Sequence, residues 1–155
     1  MIGRMYAAAV AAQAQTAAKT LIELASAADG VTLLERAYIG QSTFDTSENL
    51  SAKIQRVTTT GTGTTSTSIV APLQVGDAAF GGVLETNSTA EPIYTSNTIL
   101  VNQGFNVLSG FLWTPANDDE VHVLSPSALT GIMLNTAPSG SMSFDYGFTC
   151  REIGG

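Results

Sequence analysis

Apolar and polar residues alternate strictly near the end of the chain. The apolar positions are Met142, Phe144, Tyr146, Phe148 and Cys150, and the residues between them are polar or small. Because neighbouring side chains of a β-strand point to opposite faces, this period of two predicts a strand that buries one face. An amphipathic helix would need apolar residues three or four positions apart. The pattern therefore predicts a strand with one buried face and one face in solvent.

Five shorter segments are also predicted to be strands. They cover residues 31–39, 50–57, 105–113, 121–124 and 129–134. In the first of them Glu35 interrupts the apolar parity, and Gly40 ends the strand. Gly110 indicates a bulge or bend in the third segment, which Pro115 ends.

The beginning of the chain allows two interpretations. Eight alanines between Ala7 and Ala18 favour a helix on propensity alone. No capping residue or apolar stripe supports that helix, since only Val10 is a larger aliphatic residue there. We therefore favour two strands, at residues 4–13 and 19–25, while strand and helix both stay open for residues 5–18.

Two polar segments, residues 58–68 and 86–98, are predicted to be long loops. The first is almost entirely Thr, Gly and Ser, and the second contains Pro92. Long loops are often functional because their backbone polar groups need water or partners. We expect contacts outside the domain at these two segments.

The elements together predict one all-β domain over residues 1–155, with eight to ten short antiparallel strands in a sandwich or barrel. A chain of this length can bury a single core. The residues expected in that core are Leu33, Ile39, Ile54, Val107, Phe111, Ile132, Phe144 and Phe148.

Charge and composition argue against several classes of partner. Thirteen acidic residues against six Lys and Arg give a formal charge of −7, which leaves no large basic surface for nucleic acid. The sequence contains no run of 18 apolar residues, so no membrane helix is predicted and we expect no membrane partner. The segment 5–12 is too rich in alanine for the apolar part of a secretory signal.

No residue pattern indicates catalysis. His122 is the single histidine, no G-x-S-x-G motif surrounds any serine, and His122 is expected to face solvent from a strand. The single cysteine, Cys150, lies on the apolar parity of the last strand and is expected in the core, so neither a disulfide nor a cysteine zinc site is predicted. We expect no enzyme activity, no cofactor and no metal.

Three local patterns have a functional and a structural interpretation. The acidic residues 117–120 lack the spacing of a calcium loop and are expected to form a solvated turn. Gly61-Thr62-Gly63 is not followed by Lys or a helix, which favours a flexible polar loop over a phosphate site. Trp113, beside Phe111 and Tyr38, suits a sugar-stacking platform, although core packing is the more common role of aromatic residues in sandwiches.

Several strings resemble, in order, a group of small virion proteins of tailed phages and prophages. The strings are Tyr38-Ile39-Gly40-Gln41-Ser42, Ala71-Pro72-Leu73 through Gly76-Asp77, residues 105–115, Leu124-Ser125-Pro126-Ser127 and Glu152-Ile153-Gly154-Gly155. The resemblance implies a jelly-roll fold and a capsid decoration, or cement, protein. The alanine-rich start departs from the group. No catalytic residue is transferred by the resemblance.

The same resemblance implies particular partners and a location. They are other copies of the chain, as a homotrimer at local threefold positions, and the phage major capsid protein. The protein would be made in the host cytoplasm and then lie on the outer surface of the capsid. A receptor-binding or glycan-binding component of the head or tail, built on the same fold, is the alternative.

Overall fold

The computed structural model describes residues 3–43 and 47–154, so residues 1–2, 44–46 and 155 of the predicted domain lie outside it. The described residues form twelve β-strands: β1 (Arg4–Gln15), β2 (Lys19–Ala25), β3 (Gly30–Gln41), β4 (Asn49–Thr59), β5 (Thr62–Thr65), β6 (Ala71–Pro72), β7 (Val83–Ala90), β8 (Ile93–Asn106), β9 (Phe111–Trp113), β10 (His122–Leu124), β11 (Leu129–Leu134) and β12 (Met142–Gly154). Single turns of 3₁₀ helix occur at Thr67–Ile69 and Asp118–Glu120. Within the described residues no helix is long and apolar enough to span a membrane.

The strands form two antiparallel sheets that face each other. Sheet A has the order β10-β3-β12-β1-β6, and β9 pairs with another part of β3. Sheet B has the order β5-β7-β2-β11-β4-β8. The buried apolar side chains of both sheets form one core. The all-β sandwich predicted from the sequence is confirmed.

The connectivity of the sheets is that of a jelly roll. The first strand, β1, lies beside the last, β12, and β2 lies beside β11. Further inside the chain β3 pairs with β10, and β4 pairs with β8. This nested pairing wraps a long hairpin into two sheets, as in double Greek-key proteins. Of the four remaining strands, β5, β6 and β7 are inserted between β4 and β8, and β9 between β8 and β10, which brings the total above the predicted eight to ten.

The alanine-rich start is a strand, as favoured by its missing helix signals. β1 pairs with β12 on one side and with β6 on the other, and Tyr6 and Ala8 point into the core. A bulge interrupts the register between Val10 and Gln13, where Ala12 has a φ of 51° and its N–H donates to Asp145 Oδ1 at 2.7 Å. Packing between two strands has overridden the helix propensity of alanine.

Seven of the eight predicted core residues are buried, and Leu33 is not. The register between β3 and β12 shifts at Glu35, because Cys150 pairs with Leu34 while Thr149 pairs with Arg36. A bulge adds one residue to a strand and so moves the following side chains to the other face. Leu34 therefore takes the core position that the sequence parity had assigned to Leu33.

The two predicted loops are mostly strand, so that prediction is wrong. Residues 58–68 contain the end of β4 and all of β5, and residues 86–98 contain the end of β7 and the start of β8, which lie at different places in sheet B. Their Thr and Ser residues pair in sheet B although they are polar. The longest described segment without strand structure is residues 73–82. Tyr6 Oη donates a hydrogen bond to Ala78 O at 2.9 Å and so ties this segment to β1.

Gly110 lies in the bend where the chain crosses from sheet B to sheet A. β8 ends at Asn106 and β9 begins at Phe111, so residues 105–113 are two strands rather than one. The φ of Gly110 is +72°, and a Cβ atom built there would lie 3.0 Å from Ile39 O. The bend indicated by the sequence is confirmed, and it places β9 against β3.

Candidate interaction site

Three edge strands meet on one side of the sandwich, and we name β8, β9 and β10 with the cleft between them the open side. β8 is the edge of sheet B, whereas β9 and β10 share the edge of sheet A along β3. The opposite side ends in β5 and β6, which are both much shorter than β8. The fold therefore concentrates its longest unpaired edge on one side.

Large aliphatic residues are exposed along the open side. Ile99 and Leu100 of β8 are 47% and 43% exposed. Leu112 of β9 and Val123 of β10 are exposed to a similar degree, as is Leu108 in the turn that leads to β9. Scattered exposed aliphatic residues are ordinary on protein surfaces, but a group along unpaired strand edges indicates a contact surface.

The cleft of the open side has a volume of about 420 Å³. It is lined by Arg56, Leu100, Val101, Trp113, Asp119, Glu120, Val121, His122 and Val123. The lining therefore combines charges of both signs with one indole ring and aliphatic side chains.

His122 is buried at the inner end of β10, so the expectation that it faces solvent is wrong. It shares its face with the core residue Leu124, whereas Val123 is the exposed residue of this strand. Burial, with a smaller contribution from the Arg56 charge, lowers the pKa of His122 to about 4. The ring is therefore neutral at pH 7.

The hydrogen bonds of His122 define its tautomer. Its Nε2 lies 3.1 Å from Thr130 Oγ1, and that hydroxyl donates its proton to Gln55 O at 3.2 Å. Because the threonine proton is already used, Nε2 carries the proton and donates to Thr130. The interaction links β10 of sheet A to β11 and β4 of sheet B, which is a structural role.

Trp113 lies in the cleft without the other aromatic residues of the predicted platform. Trp113 pairs with Ala37 and shares its face, while Tyr38 pairs with Leu112 on the opposite face of sheet A. Phe111 is buried and packs on Phe105 with ring centroids 6.1 Å apart. The three residues therefore form no common stacking surface, and Trp113 alone is available to a ligand in the cleft.

The acidic segment 117–120 forms an exposed turn at the rim of the cleft, as expected. Asn117 Oδ1 accepts the N–H of Asp119 at 2.9 Å and so caps the 3₁₀ turn. In the described part of the chain no group of three or more His, Cys, Asp or Glu side chains is placed to hold a metal ion.

A group of carboxylates lies on the outer face of sheet B, and no pattern in the sequence predicts it. Glu23 lies directly opposite Glu85 in the paired strands β2 and β7, and both line a small pocket of about 160 Å³. Burial raises the pKa of Glu23, although its hydrogen bond from Gly61 N opposes the shift. The carboxylates are close because of a strand register that cannot be read from residues far apart in sequence.

Gly61-Thr62-Gly63 is part of this same region and is not a free loop. Gly61 N donates to Glu23 Oε2 at 3.0 Å, and Gly63 N donates to Glu85 Oε2 at 3.1 Å. A Cβ atom at Gly61 would come within 2.4 Å of Ala90 O, so only glycine fits there. The two glycines let the start of β5 close over the carboxylates.

Cys150 lies in the core, as its parity predicted. Its side chain is fully buried, and burial raises the pKa of its thiol to about 12, with Glu152 and Glu35 adding to the shift. Arg151, on the opposite face, pairs with Glu35 at 2.8 Å. The thiol is therefore protonated and shielded from reaction at neutral pH.

No protein-family model, curated protein or solved structure matches this chain. The assignment of a role therefore depends on its own residues, and the open side is the feature that those residues leave available for contact.

Proposed function

We propose that this chain is a structural subunit of a virus particle, a decoration protein that binds the outer surface of a phage head and stabilises it. Two observations support the proposal. The first is the resemblance of its sequence strings to small virion proteins of tailed phages. The second, which carries the proposal, is the open side with its uncharged edge strand and exposed aliphatic residues.

The open side suits a protein that works by association. A decoration protein needs many modest contacts that symmetry repeats over a particle, and their combined strength exceeds that of any one contact. Edge strands supply such contacts through unpaired backbone N–H and C=O groups. The remaining surface carries most of the net charge of −7, which keeps free subunits soluble and away from a packaged genome.

The proposal is tested on particles. Mass spectrometry of virions purified from the source culture should contain this chain at a copy number comparable with that of symmetry-related sites. Purified protein should also bind heads that lack it, saturably, and raise the temperature at which those heads release their genome. Absence from purified virions together with no binding to heads would sink the proposal.

Open-side variants sharpen the test. Leu112→Lys with Val123→Lys should weaken binding to heads at least tenfold if sheet A contributes its edge to the contact. Val83→Lys is the matched control, because Val83 has a similar exposure but lies on β7, away from the open side. Equal loss in the control would mean that added charge, and not the site, had weakened binding.

A glycan-binding or receptor-binding role is the second candidate, and the cleft around Trp113 is the observation that favours it. A partly exposed indole beside Arg56 and Glu120 offers a stacking face and polar groups to a sugar. A glycan array read with the wild type and with Trp113→Ala separates the roles. Binding that requires Trp113 supports the second candidate, and an empty array supports a purely structural subunit.

A further inference from the structure

The second half of β8, residues 99–106, contains the most regular unpaired strand edge on the open side. Its register with β4 is unbroken from Asn49 opposite Asn106 to Ile54 opposite Val101. Before that, the register shifts around Gln55, and Thr98 Oγ1 donates to Thr95 O within the strand. Residues 101–106 are thus a straight edge with no strand beside it among the described residues, and Ile99 and Leu100 lie at the register shift that precedes it.

This edge lacks the features by which proteins usually protect a strand edge. Natural edges are blunted by charged residues, by Pro, by bulges or by short length. Residues 93–106 contain no Asp, Glu, Lys, Arg or Pro. On the other side of the sandwich β5 has four residues and β6 has two. β6 covers β1 only at Tyr6 and Ala7, and the uncovered residues 8–15 are interrupted by the bulge between Val10 and Gln13. Among the described strands β8 therefore has the longest uncharged edge with unbroken register.

We propose that β8 pairs antiparallel with β8 of a second copy of this chain, about a twofold axis, so that the two B sheets become one continuous sheet. This names the partner of the open side and to that extent rests on the proposed assembly role. Identical antiparallel strands are complementary to each other by symmetry, because each residue contact is repeated once by the axis. The unpaired N–H and C=O groups of both edges then satisfy each other.

The absence of charge on β8 is compatible with a second copy and disfavours a basic partner. Two molecules with a net charge of −7 repel each other overall, and this repulsion is smallest where the surfaces in contact carry no charge, as in residues 93–106. A basic partner would instead be recognised by acidic side chains, which β8 does not have. The exposed Ile99 and Leu100 lose solvent contact in the pair, which adds apolar burial to the backbone hydrogen bonds.

The size of the contact is that of a weak, reversible pair. Eight strand residues extend about 27 Å. With two sheets packed about 10 Å apart and their side chains, the open side is roughly 20 Å thick. The product, about 500 Å² per copy and about 1,000 Å² in total, lies in the size range of weak, reversible contacts.

Sedimentation equilibrium of the full chain tests the pairing. The wild type should show a reversible monomer and dimer, and the double variant Ile99→Lys and Leu100→Lys should raise the dissociation constant at least a hundredfold. Both side chains are already exposed, so the variant should keep the circular dichroism and melting temperature of the wild-type monomer. Leu73→Lys, in the exposed segment 73–82, is the control and should leave the dimer intact.

Hydrogen exchange gives the location of the contact. Amides of residues 99–106 should be protected at high protein concentration and exchange at least tenfold faster after dilution. A wild type that is monomeric at every concentration overturns the pairing, as does a trimer mass, a dimer that persists in the double variant, or protection that lies elsewhere. Head binding is measured separately, so dimers that ignore heads would refute the decoration role and leave the pairing in place.

Discussion

Tyr6 and Tyr146 are both fully buried, but only Tyr6 has a partner for its hydroxyl group. Tyr6 Oη donates to Ala78 O, whereas Tyr146 Oη has no hydrogen-bond partner among the described residues. A buried polar group without a partner costs about 1–3 kcal/mol, and a satisfied one contributes about 1 kcal/mol. We expect Tyr146→Phe to raise the free energy of unfolding by about 1 kcal/mol and Tyr6→Phe to lower it by a similar amount. Urea denaturation with an unchanged m-value is the measurement, and equal losses in both variants would contradict it.

His122 should make stability depend on pH. The unfolded chain binds a proton on histidine below about pH 6.5, whereas burial lowers the pKa of His122 in the folded protein to about 4. Between these values the unfolded state holds more protons, so stability falls as the pH is lowered. At about 1.4 kcal/mol per pKa unit the full loss is about 3 kcal/mol.

The variant His122→Gln isolates this effect from the acidic groups. Glu23 acts in the opposite direction, because its raised pKa makes the folded state bind protons more readily as the pH falls. Subtracting the variant's unfolding free energy from that of the wild type at each pH from 7 to 4 removes Glu23 and the other carboxylates. We expect the difference to shrink steadily toward pH 4, and a flat difference would show that His122 is not the titrating group.

At the scale of elements, strands could be predicted from the sequence, whereas the faces of their residues could be predicted only up to the first bulge. β12 keeps one parity from Met142 to Cys150, and the alternation located it correctly. In β3 the parity reverses at Glu35, so Leu33 and Leu34 exchange roles. A bulge depends on the partner strand, which lies more than a hundred residues away in sequence, so local periodicity cannot reveal it.

The connection between β7 and β8 is held against β2 by a carboxylate, which suggests a test of this connection. Both oxygens of Glu91 accept the backbone N–H of Thr20, at 3.1 and 3.0 Å, and Oε2 also accepts the Thr20 hydroxyl. We expect Glu91→Ala to speed hydrogen exchange about tenfold in residues 89–95, since a hydrogen bond to a charged group contributes about 1.5–3 kcal/mol. Mass spectrometry of exchanged peptides measures it.

The matched control for that connection is Glu48→Ala. Glu48 also accepts a backbone N–H with both oxygens, that of Ser139 at 3.1 and 3.2 Å, but in a different loop. Its exchange effect should appear around Ser139 and leave residues 89–95 unchanged. Faster exchange of residues 89–95 in this control would mean that the sandwich loosens as a whole.

At the scale of the molecule, the nested pairing should tolerate a new order of the chain. β1 and β12 pair with Arg4 opposite Glu152, so a short linker can join their outer ends. New ends between Val75 and Gly76 interrupt a turn where Val75 is 100% exposed. We expect this circular permutant to fold with a stability within about 1 kcal/mol of the original, because insertion and permutation succeed at exposed turns.

Opening the chain inside a central strand gives the opposite expectation. New ends between Phe144 and Asp145 would divide β12, which pairs with both β1 and β3. Circular dichroism and thermal melting should then show no cooperative transition. A folded product would mean that the pairing of β12 is not needed for the sandwich.

The candidate site was beyond sequence reasoning because it is a property of the whole topology. Nothing local to β8 tells whether another strand lies beside it, since that depends on where β4, β9 and β10 are placed. The polarity of residues 58–68 and 86–98 instead predicted contacts outside the domain there, but these residues are largely paired in sheet B. His122 was likewise misplaced because its two neighbouring valines suggested the wrong parity.

The pairing of the first strand, β1, with the last strand, β12, also determines how the domain responds to mechanical load. Since Arg4 lies opposite Glu152, the start of β1 and the end of β12 leave the sheet at the same end of their paired strands. Tension between these two points peels the strands apart one residue pair after another, which requires little force at any instant. Load transmitted across the faces of the sheets is instead shared by many residue pairs at once. Attachment through a face or an edge strand therefore protects the domain, whereas attachment through the start of β1 and the end of β12 does not.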